Sequence, residues 1–298
     1  MGTQTAKKIP FTAQTIAQIG SITKTFTALA IMKLASEGKV DLSKPAKAYL
    51  PGGREPAASS TLESLLTHTA GISEYCGDDF ARRTRAEVLS VCMAMPLEHK
   101  AGEYAYSNTG YSILAAIVEE VTHQSWEEAL DARIWQPFGM TRAGWLFPGR
   151  AHRDFAVGYL DNKPQGLISD KVAALGGEAW NLKGNGGLQV SAADMHRFYR
   201  GLKAQPAAIF SAMTAPHADQ GEGAFYGYGL NVRVDKAGKP WRIGHGGSDG
   251  VFLSYFAWLP QQDTFIYFVG NNGEEPARTS LRGALKTLQD AVGAGPGK

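Results

Sequence analysis

A serine and a lysine stand three residues apart at Ser21 and Lys24, where an apolar segment begins. This spacing puts both side chains on one face of a helix, one above the other. A lysine held there away from water has its ammonium form disfavoured, so its amine can help to remove the proton of the serine hydroxyl. The spacing alone does not establish this chemistry, because Ser36 and Lys39 repeat it across a predicted helix end. A helix with a solvated lysine is the simpler alternative.

A tyrosine and an asparagine two residues apart, Tyr106 and Asn108, form the second candidate. A phenol ordinarily loses its proton near pH 10, about three units above neutrality, but cationic neighbours stabilise the phenolate. Tyr106 is therefore predicted to act as a general base. The alternative for Asn108 is that it caps the helix that follows.

The third candidate is the stretch His245-Gly246-Gly247-Ser248 at the end of a predicted strand. Two glycines at a strand edge let a substrate lie close to the backbone, and the main-chain N–H of Ser248 can then donate to an oxyanion. The alternative is a glycine-rich hairpin with a surface histidine.

The same stretch also contains Gly-x-Ser-x-Gly, the nucleophile elbow of α/β-hydrolases, with Ser248 as its serine. That motif needs a helix directly after the serine and a histidine later in the chain. A strand is predicted to follow, and no histidine comes after His245. Ser248 is therefore not predicted to be a nucleophile.

Helical and extended segments place these candidates on defined elements. Apolar residues at helical spacing predict helices over Ser21–Glu37, Thr61–His68, Arg85–Met95, Thr109–His123 and Asp194–Leu202. Aromatic and β-branched residues predict an antiparallel meander over Trp241–Ile243, Val251–Leu259 and Thr264–Val269, closed by a helix over Pro276–Val292. We expect an α+β fold with a helix-rich unit, residues 45–215, against a sheet-bearing unit formed by residues 1–44 and 216–298.

The composition excludes several classes of protein. Of 298 residues, 44% are hydrophobic and 19% are charged, which is enough to build a core and rules out wholesale disorder. A net charge of +2 gives no basic face for nucleic acid. The sequence has no apolar run long enough to span a membrane. Its histidines are scattered and it has no Cys-x-x-Cys or His-Glu-x-x-His pattern, so neither a metal nor another cofactor is expected.

Two features bear on the compartment. Cys76 and Cys92 are the only cysteines, and they either form one disulfide or remain free thiols. The first residues lack the unbroken apolar stretch of a signal peptide. As given, the chain is expected to be cytoplasmic, whereas a truncated N-terminus would leave a periplasmic or secreted protein open.

The three motifs occur in the order Ser-x-x-Lys, Tyr-x-Asn and His-x-Gly, on a helix start, a loop and a strand edge. In this combination the sequence resembles the penicillin-recognising serine hydrolases, in particular the relatives of class C β-lactamases. These relatives include family VIII esterases, D-amino-acid amidases and peptidases, and D-Ala-D-Ala carboxypeptidases. Further matching stretches run along nearly the whole chain, at Leu65–Gly71, Pro137–Met140, Gly186–Leu188, Ser191–Asp194 and Asn271–Asn272.

The resemblance implies a β-lactamase/transpeptidase-like fold and a role for each motif residue. Ser21 would be the nucleophile, Lys24 its proton partner and Tyr106 a general base for acylation and deacylation. The N–H groups of Ser21 and Ser248 would form the oxyanion hole, and Asn108 would hold the amide of the acyl side. The implied protein is an acyl-enzyme hydrolase of small esters or amides. A β-lactamase or D-Ala-D-Ala carboxypeptidase is one alternative, and a penicillin-binding sensor that acylates without turnover is another.

The strand motif departs from the pattern of the family. Many relatives have Lys-Thr-Gly where this chain has His245, Gly246 and Gly247. A histidine that is only partly charged at neutral pH and a glycine without a hydroxyl weaken the grip on a substrate carboxylate, although Ser248 or Arg242 could compensate. This favours uncharged esters or amides, and activity is expected to fall below about pH 6 as His245, near the reacting groups, gains charge.

Aromatic residues are candidates for lining an acyl pocket: Tyr75, Trp145, Trp180, Phe225 and Tyr226. The alternative for most of them is a place in the core.

The N-terminus is the second departure. Relatives usually carry two strands before the Ser-x-x-Lys helix, and the 20 residues before Ser21 are too few for them. The strand Thr264–Val269 would then be an open apolar edge, which proteins rarely leave bare. We expect a partner subunit or a rearranged terminus to cover it, unless the chain is truncated. The expected partners are a small ester, amide or β-lactam and, at this edge, a second copy of the chain.

Overall fold

The computed structural model describes residues 9–50, 55–147, 150–176 and 178–291 of the 298-residue chain. The helices in these residues are α1 Thr23–Ser36, α2 Leu62–Leu66, α3 Arg85–Cys92, α4 Asn108–Thr122, α5 Trp126–Leu130, α6 Ile168–Ala174, α7 Ala192–Lys203, α8 Ala207–Thr214 and α9 Glu275–Ala291. The strands are β1 Ile16–Gln18, β2 Ala143–Gly144, β3 Tyr159–Leu160, β4 Lys163–Pro164, β5 Gln189–Ser191, β6 Ala218–Gly221, β7 Ala224–Tyr226, β8 Asn231–Val234, β9 Pro240–Ser248, β10 Leu253–Leu259 and β11 Thr264–Gly270.

The main sheet is antiparallel and has the strand order β11-β10-β9-β8-β7-β6. The predicted meander corresponds to β9, β10 and β11, and the chain adds three strands that were not predicted. Those strands, β6 to β8, are short and contain Asp, Gln, Asn and Gly, which have low strand propensity. Tertiary pairing overrides propensity there.

Strand β9 is longer than the sequence predicts. The predicted strand ends at Ile243, whereas the last three residues of β9 are Gly246, Gly247 and Ser248. A side chain at Gly247 would collide with the main-chain oxygen of Ile19, so glycine lets the strand lie directly against the segment before α1. Strand β8 pairs with β9 only as far as Gly244. The edge of β9 from His245 to Ser248 is therefore left for other contacts.

Helix α1 runs through the centre of the molecule. Every residue from Thr23 to Met32 is buried, as expected for a helix without a wide polar face. The helix packs against α4 and α8, and the main hydrophobic core joins Leu29 to Leu114 of α4 and Val232 of β8. Since this core contains residues from both predicted units, the division at residues 44/45 and 215/216 stays a prediction.

A disulfide joins Cys76 to Cys92, with Cα atoms 5.2 Å apart. Of the two alternatives that the sequence left open, the structure has the paired one. The bond ties the segment around Cys76 to the end of α3.

The main sheet ends at β11 within the described residues. The N-terminal strand β1 pairs with β5 in a different, three-stranded sheet, so it does not extend the main one. Helices α7 and α9 contact β11, with Leu281 of α9 over Gly270. None of the described helices has both the length and the apolar character needed to cross a bilayer.

Candidate active site

Ser21 and Lys24 meet where α1 begins. Ser21 lies in a tight 3-10 turn, Gly20–Ile22, directly before the helix, and Lys24 is in its first turn. Lys24 Nζ lies 3.1 Å from Ser21 Oγ. The second Ser-x-x-Lys pair is different, because Ser36 is exposed at the last residue of α1 and lies outside the cleft.

Lys24 has no exposed surface, and its amine is fully engaged. Nζ donates to Asn108 Oδ1 at 2.6 Å and to the main-chain oxygen of Asn185 at 2.7 Å. These two acceptors match the two N–H bonds of a neutral amine and leave its lone pair for the Ser21 hydroxyl. Burial lowers the pKa of Lys24 well below its ordinary value, although the charges of Asp79 and Glu74 act in the opposite direction.

Tyr106 lies beside the same amine. Lys24 Nζ is 4.8 Å from the centre of its ring, and its phenol interacts with the Ser21 hydroxyl. Burial raises the pKa of the phenol above its ordinary value. The sequence predicted that cationic neighbours stabilise the phenolate and so lower the pKa of Tyr106, and this direction is wrong. In the resting site the phenol stays neutral, and Lys24 is the group whose basic form is favoured.

His68 positions the loop that carries Tyr106. Its Nδ1 accepts a hydrogen bond from the main-chain nitrogen of Ser107 at 3.0 Å, and its ring lies 4.3 Å from the ring of Tyr106. Ser107 caps α4 by accepting from the nitrogen of Gly110 at 3.1 Å. The alternative role of Asn108, capping the helix, is thus performed by the preceding residue, Ser107. The Asn108 side chain is therefore available to hold Lys24.

The turn before Ser21 is packed against the end of β9. Gly20 has φ +50°, and a Cβ there would lie 2.5 Å from the main-chain nitrogen of Ser248. That nitrogen therefore lies against the turn that carries Ser21. Ser254 of β10 fixes the arrangement by donating to the oxygen of Ile19 at 2.8 Å. An oxyanion hole formed by the N–H groups of Ser21 and Ser248 stays a prediction.

His245 is buried, and both of its ring nitrogens are engaged by groups other than Ser21. Tyr226 Oη lies 2.8 Å from His245 Nε2, and Nδ1 lies 2.5 Å from the main-chain oxygen of Gly246. A neutral ring satisfies both contacts when Nδ1–H donates to the carbonyl and Nε2 accepts from the phenol. Burial and the Lys24 charge lower the pKa of His245 to about 3. This pKa contradicts the expectation that His245 is partly charged at neutral pH.

These groups border an open cleft of about 460 Å³. Of the residues predicted for the site, those that line it are Ser21, Tyr75, Tyr106, Asn108, His245, Gly246, Gly247 and Ser248. Lys24 lies beneath the wall, behind Ser21 and Tyr106. Four aromatic candidates and one cation do not line it: Trp145, Trp180, Phe225, Tyr226 and Arg242. Tyr226 instead supports His245 from the core.

Several lining residues were missed by sequence reasoning. Asn185, Glu74, Asp79 and Asp249 all border the cleft. Asn185 contributes through its main-chain oxygen, and the residue type carries no signal for that. Asp249 directly follows the strand motif and Glu74 directly precedes Tyr75, so adjacency to predicted site residues was the one available signal.

Comparison with known proteins places this arrangement among relatives. A family model described as Beta-lactamase matches residues 2–290. Penicillin-binding protein 4 of Amycolatopsis lactamdurans is 29% identical over 295 residues, covering 89% of this chain and 74% of that protein. A beta-lactamase of Providencia stuartii is 27% identical over 180 residues, covering 60% of this chain and 46% of that protein. The chain spans about half the length of the first curated relatives that it matches.

A solved structure of a homologue shares the fold. The octameric penicillin-binding protein homologue from Pyrococcus abyssi superposes with a TM-score of 0.80 at 28% identity, covering 100% of this chain and 70% of that one. The β-lactamase/transpeptidase-like fold implied by the sequence motifs is confirmed.

Proposed function

Since the chain belongs to the beta-lactamase family, whose members are serine hydrolases, we propose that it forms an acyl-enzyme on Ser21 and hydrolyses small esters or amides. The observation that carries this proposal is the set of contacts at Lys24. Its buried amine has two fixed acceptors and lies 3.1 Å from the Ser21 hydroxyl, so it is prepared to accept that proton.

Each step then has a group in position. The lone pair of Lys24 takes the proton of Ser21, and Oγ attacks the substrate carbonyl carbon. The negative oxygen that forms is stabilised by the N–H groups of Ser21 and Ser248. As the bond to the leaving group breaks, the proton passes from Lys24 to that group, with the neutral Tyr106 phenol as a relay beside Ser21. In deacylation, a water molecule attacks the acyl carbon and gives its proton to Lys24. That proton returns to Ser21 Oγ as the bond to the acyl group breaks, and the free acid leaves.

The preference for esters and amides over β-lactams rests on the end of β9. A substrate carboxylate there would meet a neutral His245 whose two nitrogens are already engaged, and Gly246 offers no hydroxyl. The names of the relatives support a second candidate, acylation by β-lactams, which the same nucleophile could perform.

Mass spectrometry with two chromogenic substrates tests both candidates. A p-nitrophenyl ester and nitrocefin are each incubated with the wild type, with Ser21→Ala and with Ser36→Ala, which removes the serine of the second, exposed Ser-x-x-Lys pair. We expect acyl adducts and steady turnover of the ester with the wild type and Ser36→Ala, and neither with Ser21→Ala. Labelling and turnover that survive in Ser21→Ala would refute the assignment. A stoichiometric burst without turnover would identify a penicillin-binding sensor instead of a hydrolase.

We also propose that a second copy of the chain covers the outer edge of β11. That edge has no strand partner among the described residues, and an apolar edge strand favours pairing with another chain. The homologue from Pyrococcus abyssi is described as octameric, which supports assembly in this fold. Light scattering at micromolar concentration tests the proposal, and a strictly monomeric protein would contradict it.

The disulfide supports an oxidising compartment in place of the expected cytoplasm. Disulfides persist outside the reducing cytosol, and Cys76 and Cys92 are paired. Alkylation of intact protein under non-reducing conditions should therefore modify no thiol, whereas two alkylated cysteines would support the cytoplasmic expectation.

A further inference from the structure

The cleft in front of Ser21 carries negative charge. Three carboxylates line it, those of Glu74, Asp79 and Asp249, and we call them the rim carboxylates. Among the described lining residues there is no lysine or arginine. Lys24 lies beneath the wall in a setting that favours its neutral form, and Lys171, which does not line the cleft, acts electrostatically on Asp249. A negatively charged substrate therefore meets three carboxylates and no lysine or arginine among the described lining residues.

The rim carboxylates have no ion-pair partner among the side chains that the structure describes. None of the three forms an ion pair with a described lysine, arginine or histidine. Desolvation raises the pKa of Asp79, and the neighbouring charges of Asp78 and Asp249 add to the shift. Desolvation also raises the pKa of Asp249. Carboxylates that are partly desolvated and repel each other gain most from a cation placed between them.

Two of the rim carboxylates, those of Asp249 and Asp79, lie near the groups proposed to react with the scissile bond. Asp249 directly follows Ser248, the second donor of the oxyanion hole, and its Oδ1 is held by the nitrogens of Val251 and Phe252 at 2.9 and 2.6 Å. This fixes the side chain at the end of β9. Asp79 interacts electrostatically with both Asp249 and Lys24, so it belongs to the same end of the cleft. A charge on the acyl part of a bound substrate would lie near both.

We propose that the cleft selects substrates whose acyl group carries a positive charge, such as an ammonium group near the scissile ester or amide. The proposal rests on acylation of Ser21 and names the class of substrate for that site. The sequence favoured uncharged substrates, because it showed a weakened grip on a substrate carboxylate at the strand motif. It did not show the rim carboxylates, which favour a cationic substrate instead.

Three p-nitrophenyl esters with acyl chains of equal length test the proposal. One ends in trimethylammonium, the second in its uncharged tert-butyl isostere and the third in a carboxylate, so shape is matched between the first two. We expect the wild type to prefer the cationic ester over the isostere by about tenfold in kcat/KM, and to use the anionic ester least. The preference should shrink as salt concentration rises.

Variants assign the preference to the rim carboxylates. In Asp79→Asn combined with Asp249→Asn, the ratio of kcat/KM for the cationic ester to kcat/KM for its uncharged isostere should fall to about twofold or less. Adding Glu74→Gln should remove what remains. Asp41→Asn, which removes an exposed carboxylate outside the cleft, should leave the ratio unchanged. Thermal unfolding and labelling of Ser21 by a serine-directed phosphonate show that each variant is folded and competent.

The outcomes separate the two proposals. If Ser21 is acylated but the wild type does not distinguish the cationic ester from its isostere, the charge selection is overturned and the hydrolase stands. A preference that persists in the triple variant also overturns it. If none of the esters acylates Ser21 and the serine-directed phosphonate does not label it either, the proposed function itself fails.

Discussion

The floor and the rim of the cleft differ in how their polar groups are balanced. In the floor, formed by Ser21, Lys24 and Tyr106, the buried amine has a partner for each hydrogen-bonding position. In the rim, formed by Glu74, Asp79 and Asp249, no described side chain forms an ion pair with the carboxylates. The hydrogen bonds of the floor are complete before a substrate arrives, whereas the rim carboxylates have no ion-pair partner among the described residues.

This difference separates chemistry from selection. A change in the floor should slow the reaction of every substrate by a similar factor, because it acts on the bond-forming step. A change in the rim should alter the ratio between substrates of different charge and leave the rate with an uncharged one nearly intact. Variants of each region therefore test whether the division is real.

The largest effect is expected from removing the amine of the floor. Lys24→Met keeps the length of the side chain but leaves Ser21 without a proton acceptor, so kcat/KM should fall by at least about a thousandfold for all three esters. Steady-state kinetics measure it. Lys33→Met, on the same helix and outside the cleft, is the control and should retain activity. Loss confined to the cationic ester would contradict the division.

A smaller loss is expected from separating the floor from β9. Gly20→Ala places a methyl group where Ser248 N would be 2.5 Å away, which pushes the second oxyanion donor from Ser21. We expect a loss of about a hundredfold in kcat for charged and uncharged esters alike. Gly38→Ala is a matched control, because Gly38 has φ +70° but open space around its Cβ position. Both variants pay about 1 to 2 kcal/mol of backbone strain, so equal losses of activity would refute the packing argument.

The disulfide gives a way to disturb the rim more than the floor. Cys76 lies between Glu74 and Asp79, and the bond to Cys92 closes a separation of 16 residues. Replacing both cysteines with alanine should lower the free energy of unfolding by about 3 kcal/mol, measured by urea denaturation. The preference for the cationic ester should fall severalfold, whereas the rate with the uncharged ester should change little. A reducing agent should reproduce both effects in the wild type and cause none in the variant.

The floor could be predicted because its side chains are specified locally. Helical spacing brings Ser21 and Lys24 together, and Tyr106 and Asn108 lie at the start of a strongly periodic helix. The depth of burial could not be predicted from spacing, so the direction of the Tyr106 pKa shift was missed. The long helices and the strands β10 and β11 were predicted for the same reason of local periodicity.

The rim could not be predicted because long-range contacts position it. The oxygen of Glu74 accepts from the nitrogen of Asn108 at 2.9 Å, which brings a distant loop to the start of α4. In the sequence, Glu74 and Asp79 look like ordinary surface charges between Pro- and Gly-containing segments. The contribution of Asn185 is a main-chain oxygen 161 residues from Lys24, and no side-chain motif encodes it.

The smallest expected effect concerns the pH dependence and tests which group of the cleft titrates. His245, with a pKa lowered to about 3, is neutral from pH 5 to 8, so its protonation does not control activity in that range. The basic form of Lys24 is required, and burial lowers its pKa, so activity should be lost as pH falls through the pKa of Lys24. His245→Gln keeps an acceptor for Tyr226, and we expect a lower rate but an unshifted acid limb in kcat/KM measured with the uncharged ester. If the acid limb disappears in His245→Gln, then His245 is the group that titrates, and the end of β9 belongs with the floor of the cleft.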